Sequence, residues 1–354
     1  MASRFHARVA ATVIAAFVLL AGSPVDASGG WTKPHRFDGD CSAPAYSAVF
    51  DSAGGLHASA TADCRSPGLW YFTAHTATRV VSGDRYGITP AIAIRARGGG
   101  TDVRIAWADP SDGTDLWLTR NDTGAWVSSR LWLGDAHDPA IAPWGPGVAV
   151  AFRDGSHRLR VLTWDPVTGP SAAAVVSGHC CAGLPSIAAS AHGLGVAFSE
   201  TATGSGAHRL RLATRTSGGW SLQTVDGHTT RDPSLAYTAG GVPVVAYEAS
   251  HAGIWYARPG AASWHLRQVL GTGHHQAHIA TDASGRVGVA ATGVVFRRLD
   301  IASPAVTVAH ASDLDTEDLL VPRLGFAAGH ADITFSSFCA CAGGGGGVWV
   351  TRQQ

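Results

Sequence analysis

Histidine and carboxylate side chains crowd into a few segments of this 354-residue chain. Asp135, His137 and Asp138 stand together, His179 abuts Cys180-Cys181, and His228 is followed by Arg231-Asp232. His274-His275 precede His278, and Asp313, Asp315, Glu317 and Asp318 close the series. A second set consists of acids that each end a short apolar run: Asp109 (AWAD), Asp154 (AFRD, beside Arg153), Glu200 (AFSE) and Glu248 (AYE, beside Tyr247). The chain has only three glutamates, and two of them are in this second set. Imidazoles and carboxylates that converge can move protons near neutral pH, ligate a metal, or hydrogen-bond a polar ligand. The competing reading is architectural. Acids recurring in register accept backbone N–H groups of their own loops, and Asp138 and Asp232, each preceding a proline, begin turns.

The six cysteines give a second chemical signal. In an exported protein they are expected to be oxidised. Cys41 and Cys64 can pair across neighbouring loops. Cys180-Cys181 are adjacent and Cys339-Ala340-Cys341 form a CxC, so local bridges there would strain disulfide geometry. The rival is a thiolate–imidazole site for a soft metal such as copper, built from His179, Cys180, Cys181, Cys339 and Cys341. No HExxH-type signature is present, and no cofactor is expected.

What positions these groups is a repeat. Trp31, Trp126, Trp220 and Trp264 each follow small or turn-forming residues and stand thirteen residues before Pro44, Pro139, Pro233 and Ala277. A strand-start motif (Pro, small or polar, Ile/Leu/Tyr, Ala) recurs at Pro44, Pro90, Pro139, Pro185, Pro233, Ala277 and Pro322, at intervals of 44 to 49 residues. Within a period, four short and mostly alternating apolar–polar runs are separated by turn residues, which predicts four antiparallel strands, A to D. No stretch has a sustained helical period. Repeats of this length and content are propeller blades. The predicted fold is all-β, a seven-bladed β-propeller. Its last repeat ends after strand C, and residues 29–40 are expected to supply the missing strand D and close the ring.

Residues 1–27 read as a secretory signal peptide: Arg4 and Arg8, the apolar run Val9–Leu20, then Val25-Asp26-Ala27. Residues 28–354 are expected to form one secreted, monomeric propeller domain without a membrane span. Formal net charge is zero and Lys33 is the only lysine, so neither nucleic acid nor an anionic lipid surface is an expected partner.

In a four-stranded meander, the D-to-A and B-to-C loops share one face, here called the first face. That face gathers the candidate ligand-binding residues His137, Asp138, Arg153, Asp154, His179, Glu200, His228, Arg231, Asp232, Glu248, His274 and His275. The Gly-Trp turns belong to the opposite face.

The blade pattern resembles the sialidase-like, BNR-repeat propellers of secreted bacterial proteins over nearly the whole mature chain. In that family an Asp-box, S-x-D-x-G-x-x-W, marks the C–D turn. Asn121-Asp122-Thr123-Gly124-Ala125-Trp126 matches it in part, and Ser217-Gly218-Gly219-Trp220 and Ala262-Ser263-Trp264 are degenerate forms. The resemblance implies fold rather than activity, because the Asp-box is structural. Sialidase catalysis would also need three arginines, for which Arg65, Arg153 and Arg231 are the first-face candidates, and a Tyr/Glu nucleophile pair. Only Tyr247-Glu248 offers that pairing, and neighbours in a strand point to opposite sides. A second resemblance is to polysaccharide lyases on seven-bladed propellers, which implies His228, His274 or His275 as bases and Tyr247 as a proton donor. The leading expectation is extracellular carbohydrate or cell-envelope ligand binding on the first face. The alternatives are a carbohydrate-active enzyme, lyase before sialidase, and a protein-interaction scaffold.

Overall fold

The structure is a computed structural model. It describes residues 30–36, 45–62, 67–82, 88–98, 100–109, 114–179, 184–201, 208–228, 230–250, 252–309, 318–327, 330–338 and 348–354. Residues 1–27, read above as a signal peptide, lie outside the described residues, as do Cys41, Cys64, Cys180, Cys181, Cys339 and Cys341, together with Asp313, Asp315 and Glu317. Among the described residues there is no helix, and hence none long and apolar enough to cross a membrane.

Seven antiparallel sheets follow one another along the chain and form the blades of a β-propeller. Blade 4 shows the pattern: strand A is Ser186–Ser190, B is Gly193–Thr201, C is His208–Thr216 and D is Gly219–Asp226. In blade 3 the outer strand is split into Gly169–Pro170 and Ala174–Ser177, both paired with Leu159–Asp165. Blade 7 takes its fourth strand from the other end of the chain. His35 and Arg36 pair with Val350 and Trp349, and Trp31 bridges to Gln353. Closure by hydrogen bonds between the two ends leaves the ring without an open sheet edge at the join.

The core lies between the blades. Each of the seven hydrophobic clusters draws on two neighbouring blades, as where Leu116 and Leu118 of blade 2 meet Val150 and Phe152 of blade 3. Val348 and Val350 of blade 7 pack on Tyr46 and Phe72 of blade 1, so packing closes the ring as well. Sandwiching explains why strand B is buried on both sides, with Leu194 to Glu200 enclosed throughout, instead of alternating. The repeated tryptophans serve the same joints. The Trp126 ring stands 5.1 Å from Tyr71 of blade 1, and the Trp31 ring 5.4 Å from Phe296 of blade 6. Trp220 and Trp264 pack against the clusters joining blades 3 to 4 and 4 to 5.

A polar joint repeats beside the apolar one. Ser186 Oγ accepts the N–H of Leu235 in the next blade, and Ser234 Oγ accepts that of Ile279. Ser47 Oγ accepts the N–H of Ile92 in the same manner. In this register the blade 1 counterpart of Pro90 and Pro233 is Tyr46, two residues beyond Pro44.

Candidate functional site

Strand A of each blade enters from the first face, and its opening residues are irregular for a shared reason. Thr89, Asp138, Asp232, Gln276 and Val321, each directly before the motif Pro or Ala, adopt left-handed backbone with φ between 44° and 53°. In blades 2, 3, 5 and 7 the A–B pairing shifts register across this position. A bulge with a non-glycine left-handed residue re-aims the side chain at a cost in backbone strain, and Thr89, Asp232, Gln276 and Val321 line the central cavity whereas Asp138 does not. Together the seven strand openings line a central cavity of about 390 Å³, with Tyr46, Thr89, Asp232, Gln276, His278 and Arg323 among its polar wall.

Two blades show what the bulge can do. In blade 3, Arg153 of strand B extends to Asp138, with its Nη2 3.1 Å from Oδ2, and its Nη1 lies 3.0 Å from His157 Nδ1. In blade 5 the register is the same, with Arg231 opposite Glu248 where blade 3 sets His137 opposite Arg153. Asp232 therefore faces a carboxylate instead of a guanidinium. Burial first, and Glu248 second, raise the Asp232 carboxyl above its ordinary value, against an N–H bond from Leu184. Glu248 turns outward and holds His275, whose Nδ1 is 2.9 Å from Oε1.

The remaining acids divide along the same line. Asp154 is 4% exposed and accepts the N–H groups of Ser156 and Arg158 together with the guanidinia of Arg158 and Arg160. Burial alone would raise its carboxyl, but Arg160 and the loop N–H groups outweigh that and hold it below the usual range. Asp51 and Asp282 accept their own turns in the same i+2, i+4 pattern. Glu200 is enclosed by Ser177 Oγ at 3.1 Å and Arg209 at 2.7 Å. These are architectural acids.

The histidines are placed differently. The His228 side chain is largely exposed, with Nδ1 2.7 Å from the buried Asp226, whose other oxygen accepts the Tyr247 hydroxyl at 2.8 Å. Tyr247 itself is completely enclosed in the joint between blades 4 and 5, and burial pushes its hydroxyl far above its normal value, so it does not reach the mouth. His274 Nδ1 donates to the Thr292 carbonyl at 3.1 Å. His137 pairs with Asp135 at 2.8 Å, and His179 is exposed beside Ser177. Arg231 is exposed with no ion pair among the described residues. The structure thus groups His228, Arg231, Asp232, Glu248, His274 and His275 around blade 5, and separates them from Asp138, Arg153, Asp154 and Glu200 on blades 3 and 4. Among the described residues, no three His, Cys, Asp or Glu side chains form a metal-holding group. Of the thiolate–imidazole candidates only His179 is described.

Laying the repeats on one another gives His278 a new setting and brings out Arg323. The slot after the motif Pro holds Ser47, Ala91, Ala140, Ser186 and Ser234, then His278 in blade 6 and Arg323 in blade 7. His278 Nδ1 accepts the Leu324 N–H at 3.1 Å, doing the work of serine in the other blades. Burial, helped by Arg323, lowers its pKa to about 3, so it is neutral with its proton on Nε2. Asp226, which orients His228, was silent in sequence.

The turn that resembles an Asp-box is architectural. Asn121 Oδ1 accepts the Val103 N–H at 2.7 Å, Asp122 pairs with Arg120, and Trp126 packs inward.

The fold and face define a seven-bladed β-propeller whose largely apolar central cavity carries a few polar side chains, with one histidine-rich sector among the described residues. No family model matches the chain, and comparison with curated proteins finds no significant match. Solved structures share the fold at low identity. A polysaccharide lyase, an ulvan lyase bound to GlcA(1-4)Rha3S, superposes with a TM-score of 0.63 at 10% identity, over 91% of this chain and 96% of its own. A protein of unknown function from Dyadobacter fermentans gives 0.56 at 10% identity, over 89% of this chain and 100% of that one. AofleA from Arthrobotrys oligospora gives 0.53 at 14%, over 86% and 96%.

Proposed function

We propose that this propeller binds an extracellular carbohydrate on its first face, with the ligand held by the sector around blade 5. The observation that carries the reading is the Glu248–His275 pair, 2.9 Å apart with its imidazole open to solvent, at the rim that Asp232 shares with the central cavity. A few oriented polar groups at the edge of a preformed cavity are what a sugar hydroxyl network requires. Support comes from the ulvan lyase of the same fold, which is bound to GlcA(1-4)Rha3S. The sialidase-like, BNR-repeat lineage is proposed on the Asn121–Trp126 turn. A glycan array probed with the purified protein tests the function: selective binding that fails in His275→Ala supports it, and an array with no specific signal sinks it.

A second reading has its own observation. The available groups lie on one side of the mouth and are not repeated blade by blade, as a single catalytic centre demands. In a lyase, His275 oriented by Glu248 would act as base on the proton α to a uronate carboxylate. Tyr247 is out of reach as the acid, so His228 oriented by Asp226 takes that part. Unsaturated products from uronic-acid polymers, lost in both His275→Ala and His228→Ala, would establish it.

A further inference from the structure

The cavity wall carries a charge that the first-face histidines do not explain. Arg323 occupies a slot that five other blades fill with Ser or Ala. The only hydrogen bond of its guanidinium among the described residues runs from Nη1 to the Pro322 carbonyl at 3.3 Å, and no described carboxylate lies within ion-pair distance. A guanidinium has five N–H donors and keeps its charge in proteins. Half-burying one without a direct counter-ion carries a cost, and burial accordingly works against its charged form, with Tyr46 and Asp232 offsetting this only from a distance. Neutral donors stand beside it. Gln276 Oε1 is committed to the Val321 N–H at 3.1 Å, which directs its amide N–H₂ group elsewhere, and His278 presents Nε2–H. Both line the same cavity as Arg323, and its size is that of a small-molecule site.

We infer that the central channel is an anion-binding site in which Arg323 grips a carboxylate or sulfate group, with Gln276 and His278 donating beside it. Arginine matches both groups because its fork pairs two N–H donors with two oxygens. The inference deepens the carbohydrate reading by assigning the ligand an acidic residue, a uronate or a sulfated sugar, and rests on that reading only for the sugar part. Asp232 at the rim opposes the anion, so the site is tuned by one cation and one acid of opposite effect.

The test is calorimetric titration at constant ionic strength with sodium glucuronate, sodium sulfate and glucose, on the wild type, Arg323→Gln and Asp232→Asn. The expected result is saturable binding of at least one anion, with glucose at least about tenfold weaker. R323Q should lose roughly tenfold or more in anion affinity, while D232N should gain severalfold. D232N keeps an acceptor for Leu184 and tolerates the left-handed backbone, so it tests the site even if R323Q fails to fold. The relative response to glucuronate and sulfate distinguishes carboxylate from sulfate. Anion binding unchanged in R323Q, weakened in D232N, or absent from the wild type would overturn the inference. Arg323-dependent sulfate binding without any glycan binding would leave the anion site standing and remove the carbohydrate reading. Glycan binding by the wild type with no Arg323-dependent anion binding would do the reverse.

Discussion

Blades 3 and 5 begin with the same backbone device and reach opposite electrostatic ends. Both place an aspartate in a left-handed bulge before the motif proline, Asp138 at φ 53° and Asp232 at φ 44°. On strand B, opposite the residue that precedes it, blade 3 has Arg153 and blade 5 has Glu248. The arginine closes its loop by pairing with Asp138 at 3.1 Å, and the adjacent Asp154 is consumed by Arg158 and Arg160. The glutamate opens its loop. It leaves Asp232 without an ion pair among the described residues and holds an exposed imidazole instead. A single change of sign at one strand position separates an acid that is paired within its blade from one that has no ion pair among the described residues. Arginine supply, more than the acids themselves, decides which of the two acids is paired within its own blade.

The largest effect that would break this contrast belongs to blade 3. Asp154→Ala removes two backbone bonds and two guanidinium contacts around a buried carboxylate, and is expected to cost about 2–4 kcal/mol in urea denaturation. Ligand affinity should be unchanged once the variant is folded. A stable variant with lost binding would mean that the closed loop is functional after all.

Next in size is a transplant of charge. Glu248→Arg gives blade 5 the pairing of blade 3, and Asp232 then gains the partner that Asp138 has. Ligand affinity should fall at least about tenfold, because His275 loses its orienting carboxylate. Stability should change by no more than about 1 kcal/mol, as for a rim ion pair. Retained affinity would contradict the assignment of Glu248.

Two smaller effects appear against pH. The raised Asp232 carboxyl favours the fold most below the ordinary aspartate range, and that contribution is lost as pH rises through its folded value. Asp232→Asn should therefore be more stable than the wild type at neutral pH, with the difference vanishing below about pH 4. His278 runs the other way. With its pKa lowered to about 3, the unfolded chain binds its proton first, so stability present above pH 6.5 is lost as pH falls toward 3. His278→Ser restores the acceptor used in blades 1, 4 and 5, and should flatten that part of the thermal-stability profile. An unchanged slope would place the titration elsewhere.

The sequence revealed the blades more readily than the site because the two are recorded differently. Trp126, Trp220 and Trp264 recur at a fixed offset from the strand starts because each wedges the same inter-blade joint, and geometry that repeats leaves a periodic trace. The start of blade 1 is masked by Pro44, since only the Ser47 to Ile92 bond shows that Tyr46 fills the motif position. The acids were legible as a set, yet Asp154, Glu200 and Glu248 look alike in a single sequence. Their roles depend on arginines and histidines brought in from other strands and other blades, such as Arg160, Arg209 and His275. Arg323 was hidden for a different reason: it sits in a motif slot and reads as a variant strand residue until the slot is known to border the channel. Tyr247 looked available beside Glu248, but strand alternation sends it into the blade 4 to 5 joint.

The central claim is that ligand recognition lies around blade 5 and not around blade 3. It is tested most directly by one glycan array run in parallel on the wild type, His275→Ala and Arg153→Ala. The account predicts that the His275 variant loses the wild-type signal while the Arg153 variant keeps it. Loss in Arg153→Ala with His275→Ala unaffected would contradict it.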